Sequence, residues 1–393
     1  MQSPVLRKGA VALLASASLL LSACSSGDGP AAGEGASSSP ASASSAPAGS
    51  ASPPADLPPA KGSVEVVKTL TDGLSSPWGL AALPWGDLLV SSRDKATITR
   101  IDGESGRKTL LGSVPGVAPS GEGGLLGLAV APTFGADHLI YAYFTTESDN
   151  RIARLQYDEK KPAGQQLGAP DTILRGIPKG SIHNGGRIAF GPDRMLYAGT
   201  GETGDTGLAQ DKSSPSGKIL RMTPDGEPLH GNPEGDSLVY SYGHRNVQGL
   251  AWDSGKRLWA AEFGQDTWDE LNLIEPGRNY GWPDVEGKEG KTGFVDPVAQ
   301  WKTSEASPSG IAYAEGSIWM AGLRGERLWR IPLSGKADGE PLAAPQAFLE
   351  GKYGRLRTVL AAGGDMLWLV TSNTDGRGTP KQSDDRILLL KVR

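Results

Sequence analysis

Cysteine is almost absent from this sequence: 393 residues contain one, Cys24, and it lies in the leader. Disulfides, thiolate zinc sites, iron–sulfur clusters and cysteine nucleophiles are therefore excluded from the body of the chain. Histidine is nearly as scarce, with His138, His183, His230 and His244 the whole set, too few for a histidine-rich metal centre. A basic excess is missing as well. The 39 Lys and Arg face 44 Asp and Glu, a net charge of −5, which gives nucleic acid no electrostatic footing. No glycine fingerprint for a dinucleotide leads into a helix, which counts against a nicotinamide enzyme. What the chain has in abundance is punctuation: 55 Gly and 29 Pro beside only 6% aromatics, the composition of a turn-rich β protein.

The first sixty residues read as an address and a spacer. Arg7 and Lys8 precede an apolar run, Ala10 to Leu21, that closes on Leu21-Ser22-Ala23-Cys24. A basic start, a short apolar core and small residues at the cut describe a secretory signal over residues 1–23. About a dozen apolar residues fall short of a transmembrane span. The closing tetrapeptide resembles a bacterial lipobox. That implies cleavage before Cys24, lipid on its thiol, and an extracytoplasmic protein anchored to the outer face of the cell membrane. Residues 24–61 carry Ser, Ala, Gly and Pro with scarcely any apolar bulk and are expected to be a disordered linker.

From about Gly62 one phrase recurs: an apolar strand, a Gly/Asp/Pro turn, then a strand with an aromatic or branched residue. It appears as Gly79-Leu80-Ala81, Gly127-Leu128-Ala129, Arg187-Ile188-Ala189, Gly249-Leu250-Ala251, Gly310-Ile311-Ala312 and Thr358-Val359-Leu360, each followed by its second strand. Taking Leu89, Tyr141, Tyr197, Trp259, Trp319 and Trp368 as equivalent, the steps are 52, 56, 62, 60 and 49 residues. Hairpins at this period bury their faces only by stacking on neighbours, the grammar of propeller blades. The expected fold is all-β, a six-bladed β-propeller of four-stranded antiparallel blades over residues 62–393. The longer steps imply loop insertions, which are expected to build a site at one end of the channel.

Chemistry concentrates between the phrases. Ser181-Ile182-His183-Asn184-Gly185-Gly186 places an imidazole just before a strand, where it can take a proton from a hydroxyl; the two glycines are expected to let backbone approach a ligand. Gly243-His244-Arg245-Asn246 offers a guanidinium and an amide at another blade entrance, suited to a carboxylate or a carbonyl oxygen. Phe263-Gly264-Gln265-Asp266-Thr267-Trp268-Asp269-Glu270 offers hard oxygen ligands of the kind Ca²⁺ takes, without EF-hand spacing. Arg355 and Arg357, two apart on a strand, point to one face and could jointly hold an anion.

Gly121-Glu122-Gly123-Gly124, His183-Asn184-Gly185-Gly186-Arg187, Gly243-His244-Arg245-Asn246, Asp269-Glu270-Leu271-Asn272, Asn279-Tyr280-Gly281-Trp282-Pro283 and Pro308-Ser309-Gly310 occur in this order. In this series the chain resembles the soluble glucose/sorbosone dehydrogenases, the pyrroloquinoline quinone (PQQ) dependent aldose sugar dehydrogenases. The resemblance spans roughly residues 65–393. It implies His183 as the base for the sugar C1 hydroxyl, and Arg245 and Asn246 as contacts to the quinone oxygens. It implies Arg324, Arg355 and Arg357 as cofactor ligands, Arg324 standing where a lysine is common. Carbonyls of Gly264 and Gln265 would bind Ca²⁺ on the cofactor, and Asp269, Glu270 and Tyr280 resemble the region of a second calcium site. Glu122 replaces a usual sugar-binding glutamine, and Ile182 an acid found in the glucose enzyme, so glucose preference does not carry over. The implied reaction takes an aldose to its lactone and passes electrons to an external acceptor the sequence does not name. A non-catalytic propeller binding a carbohydrate or protein, and a Ca²⁺-dependent lactonase, are the alternatives.

Overall fold

The computed structural model describes residues 57–393. Cys24, the signal and most of the linker lie outside the described residues. Strand β1 (Val64–Thr71) comes first. Blade 1 follows as β2 (Pro77–Ala82), β3 (Leu88–Ser92), β4 (Thr97–Ile101) and β5 (Lys108–Ser113). Blade 2 is β6 (Leu125–Val130), β7 (Leu139–Thr145), β8 (Asn150–Gln156) and β9 (Asp171–Ile177); blade 3 is β10 (Ile188–Phe190), β11 (Leu196–Gly199), β12 (Lys218–Met222) and β13 (Val239–Tyr242). Blade 4 is β14 (Val247–Trp252), β15 (Leu258–Glu262), β16 (Trp268–Ile274) and β17 (Ala299–Lys302); blade 5 is β18 (Pro308–Ala314), β19 (Ser317–Gly322), β20 (Arg327–Pro332) and β21 (Gln346–Phe348). The last three strands are β22 (Leu356–Gly363), β23 (Met366–Thr371) and β24 (Ile387–Val392).

All pairings within these sheets are antiparallel, and the first strand of each blade touches that of the next until β22 meets β2. Six four-stranded sheets around an axis make the expected propeller. Blade 6 is completed by β1, which pairs with β24 from Val64 opposite Val392 to Thr71 opposite Ile387. Both ends of the folded body thus share one sheet.

The repeat has a packing reason. Each presumed equivalent lies in the second strand of its blade, and in five blades the residue directly opposite is alanine: Ala81, Ala129, Ala189, Ala251 and Ala312. Blade 6 pairs Trp368 with Leu360 instead. A small residue facing a large one lets neighbouring sheets interdigitate near the crowded axis. The glycines of the phrase have a second cause. A Cβ at Gly79 would stand 2.6 Å from the carbonyl oxygen of Leu126 in the next blade, and one at Gly127 would collide with Gly186. Innermost strands touch backbone to backbone, and glycine alone fits.

Two blades break that rule, and they are opposite one another. Where blades 1, 2, 4 and 5 have glycine, blade 3 has Arg187 and blade 6 has Thr358. The Arg187 Nη2 donates to Thr358 Oγ1 across the channel at 3.1 Å, and that hydroxyl donates to the Trp78 carbonyl at 2.7 Å. Arg187 Nε donates to the Gln248 carbonyl, while the Gln248 side-chain oxygen accepts from Ser309 and Arg357. This layer from blades 1, 3, 4, 5 and 6 divides the channel into an upper cavity, at the end where the innermost strands begin, and a lower chamber.

The linker boundary also moves. Pro59 accepts a hydrogen bond from buried Arg330 at 2.8 Å, and Gly62 donates to Gln346. Residues 57–61, expected to finish the spacer, lie instead on blade 5 at the lower end. Their few polar groups find fixed partners there, which composition alone does not reveal.

Candidate active site

The upper cavity has a volume of about 690 Å³, within the range of small-molecule sites. Its wall is built from the loops that lead into the innermost strands and from those that join the second strand of a blade to the third. Six arginines line it (Arg93, Arg245, Arg324, Arg355, Arg357 and Arg377) against two carboxylates, Glu122 and Asp375. In a protein of net negative charge, this is a concentrated positive field.

His183 sits on the wall with backbone φ of 53°, a left-handed conformation uncommon for a residue with a Cβ. Its loop is clamped from both sides. The amide of His183 donates to Glu122 Oε2 at 3.0 Å, and Nδ1 meets Glu202 Oε1 at 2.6 Å. Glu202 is buried and its other oxygen accepts the Gly204 amide. The flanking glycines do not serve a ligand as expected. A Cβ on Gly185 would strike the backbone of Gly199 and Thr200, and one on Gly186 would enter Leu126, so they admit the loop against blades 2 and 3. Because a carboxylate oxygen accepts from Nδ1–H, the neutral ring keeps its lone pair on Nε2.

Arg245 lines the cavity under the Trp282 ring, its guanidinium 5.4 Å from the ring centroid. Burial lowers its pKa, opposed by the charges of Glu202, Glu286, Asp269 and Glu122. A buried Ser241–His244–Glu262 chain holds it from behind, Glu262 accepting the Arg245 amide at 2.8 Å. Asn246 is fully buried, and its side-chain oxygen accepts the Gly185 amide. Arg245 Nε and Asn246 Nδ2 are buried donors with no partner in the protein. Orphaned donors of this kind call for an acceptor-rich ligand.

Arg355 and Arg357 do face one side and do share an anion, but it is internal. Both guanidiniums reach Asp375 Oδ2, at 3.0 and 3.1 Å. Burial works against the Asp375 charge, yet Arg357 and Arg355 overcome it and hold its pKa below the usual carboxylate range. Burial pushes Arg357 down to about 10 against the pull of Asp375. Two cations on one carboxylate leave positive charge for a further anion. Glu122 is likewise engaged, accepting from the exposed Arg377 at 2.8 Å across the mouth. Arg324 lines the cavity from the β19–β20 turn and is exposed.

The calcium expectations divide. Gly264 and Gln265 follow Phe263, whose carbonyl accepts from Arg245 Nη1; among the described residues their carbonyls accept no hydrogen bond, while the amides of residues 265–268 converge on Glu286 Oε1 at 2.7–3.1 Å. Two free neutral carbonyls fit a cation only if a cofactor supplies its remaining ligands. Asp269 and Glu270 are not brought together. As neighbours on a strand, Asp269 and Glu270 point to opposite faces; Asp269 accepts from Gly264 and Ser307, Glu270 from Gly287 and Asn272. The Tyr280 hydroxyl is spent on Leu273 and Glu275, and its ring stacks on His244. No group of three acidic, histidine or cysteine side chains suited to a metal occurs among the described residues.

Sequence reasoning missed Glu202, Asp375, Gln248 and Arg377. Glu202 and Asp375 sit in glycine-rich turn text, and nothing in their spacing places them against His183 or the arginine pair.

Residues 74–388 match the Glucose / Sorbosone dehydrogenase family model. The chain is 31% identical to the aldose sugar dehydrogenase of Escherichia coli over 280 residues, 67% of this chain and 73% of that one. Among solved structures, the PQQ-bound aldose sugar dehydrogenase of Streptomyces coelicolor superposes with a TM-score of 0.84 at 74% identity, covering 86% of this chain and all of that one. A glucose dehydrogenase-type oxidoreductase of Thermus thermophilus gives 0.76 at 40% identity, covering 84% of this chain and all of that one. With its fold and most of its length in agreement, the chain belongs to the glucose/sorbosone dehydrogenase family.

Proposed function

We propose that the protein is a PQQ-dependent aldose sugar dehydrogenase, oxidising the sugar at C1 to the lactone. The observation that carries this reading is the His183–Glu202 pair opening on a cavity lined by six arginines. The residues fit the cofactor: Arg324, Arg355, Arg357 and Arg377 supply positive charge for its three carboxylates. The orphaned Arg245 Nε suits a quinone oxygen, while the equally orphaned Asn246 Nδ2 is fully buried behind the cavity lining. Gly264 and Gln265 would offer carbonyls to a Ca²⁺ whose other ligands come from PQQ.

When bound, PQQ supplies the two-electron acceptor for hydride, with Ca²⁺ as Lewis acid. The chain's own part is proton transfer and orientation. His183 Nε2 takes the C1 hydroxyl proton, and Glu202 fixes the ring and stabilises the imidazolium that forms, as a buried acid does behind other catalytic histidines. Glu122 holds the His183 backbone while presenting its carboxylate at the mouth, where sugar hydroxyls would meet it. Lipid on Cys24 and display on the outer face belong to the same proposal, supported by Leu21-Ser22-Ala23-Cys24.

Titrating PQQ into Ca²⁺-loaded protein tests the reading. Saturable binding with PQQ-dependent bleaching of an artificial electron acceptor, on adding aldoses, is the expected result. Binding of sugar without bleaching would favour a non-catalytic propeller, and absence of PQQ binding would overturn the proposal. Membrane retention of Cys24→Ala equal to wild type would remove the lipid anchor.

A further inference from the structure

Below the polar layer the channel opens again. A second chamber of about 310 Å³ is lined by all six innermost strands, at the small end of the range for ligand pockets. Its walls are apolar, with Leu80, Leu128, Phe190, Leu250, Ile311 and Leu360 among them. Ala82 and Ala361, at the lower ends of their strands, are exposed, so the chamber communicates with solvent away from the active cavity. Among the described residues that line it, one is charged, Arg187.

Arg187 is one of the two residues that depart from the glycine pattern of the repeat, and it carries a cost. Its exposure is 7%, and no carboxylate pairs with it. Arg355 and Arg357, by contrast, have Asp375, and Arg377 has Glu122. Of five guanidinium donors, the Gln248 carbonyl and Thr358 hydroxyl take one each. The Trp78 ring lies 4.5 Å from the guanidinium carbon and disperses some of the charge. Burial, and then the neighbouring Arg357, push the pKa down to about 9. A buried cation without a counter-ion is destabilising. A ligand anion arriving from the lower chamber would remove that penalty, and the apolar walls would hold its body.

We propose that the lower chamber is a binding site for a small amphipathic carboxylate, separate from the sugar site. The carboxylate pairs with the Arg187 guanidinium, and the apolar body lies between the innermost strands. The assignment does not depend on the dehydrogenase reading. It rests on the chamber, its walls and the unpaired arginine.

The probes are 2-naphthoate and its neutral analogue 2-naphthalenemethanol, titrated calorimetrically into the full chain. Wild type should bind naphthoate at least tenfold more tightly than the alcohol. Arg187→Gln should erase the difference, and Arg187→Lys, which keeps the charge, should retain most of it. Ala82→Trp, at the solvent rim, should abolish binding of both probes while leaving the thermal midpoint unchanged. No binding of naphthoate, equal affinities in wild type, or full binding by Ala82→Trp would overturn the proposal. Naphthoate binding lost in Arg355→Gln but kept in Ala82→Trp would place the probe in the upper cavity and overturn it equally.

Discussion

His183 combines a proton-accepting ring with a backbone that glycine would adopt more cheaply. A left-handed φ costs roughly 1–2 kcal/mol in a residue with a Cβ. Stability and turnover should therefore separate at this position. His183→Gly should be more resistant to denaturant than His183→Ala by about 1 kcal/mol, although both lose a factor of about 10²–10⁴ in kcat. Matched urea titrations and steady-state rates check both halves, and equal stabilities would mean that the loop relaxes. The arginine pair makes an opposite-signed prediction. Arg355→Ala should weaken PQQ binding by about 1.5–3 kcal/mol, whereas Asp375→Asn, which removes the competing internal charge, should tighten it. Fluorescence titration of PQQ into the three proteins decides the sign.

Among the elements, the alanine facing the large second-strand residue in five of the blades is a packing constraint. Ala251→Leu, opposite fully buried Trp259, has nowhere to put its extra carbons; overpacking of this kind typically costs about 1–3 kcal/mol, measurable as a lower denaturation midpoint. Lys218 in β12 is a different sort of staple. Its ammonium is buried and donates to the carbonyls of Leu208, Ala209 and Ser216 at 2.6–3.0 Å, tying the preceding loop to blade 3. Burial lowers its pKa to about 8, so between that value and an unfolded value of about 10.4 the native state binds fewer protons than the unfolded one. Stability should then rise with pH across that interval relative to Lys218→Met, since below it both states carry the charge and the burial cost is fully felt. The blade count and the channel end that carries the site were legible because period and loop length survive in one dimension. The partners Glu202 and Asp375 were not, because each meets its neighbour across the first hairpin of its own blade, between loops whose text carries no pairing signal; Arg377 meets Glu122 only after the ring has closed.

Closure itself belongs to the whole molecule. Blade 6 holds together through β1, so deleting residues 57–71 should leave β24 as an open edge with Leu388 and Leu390 beneath it, a template for association. Size-exclusion chromatography of the truncated protein should show self-association where the full chain elutes as a single species. Strand β1 has a second effect through its direction. It starts beside Val392 at the lower end, and residues 57–63 are fastened there through Pro59 and Gly62. The chain therefore enters the folded body at the channel end opposite His183 and the arginines, so a tag or fusion partner joined at residue 57 would be added on the side of the lower chamber and not at the mouth of the upper cavity.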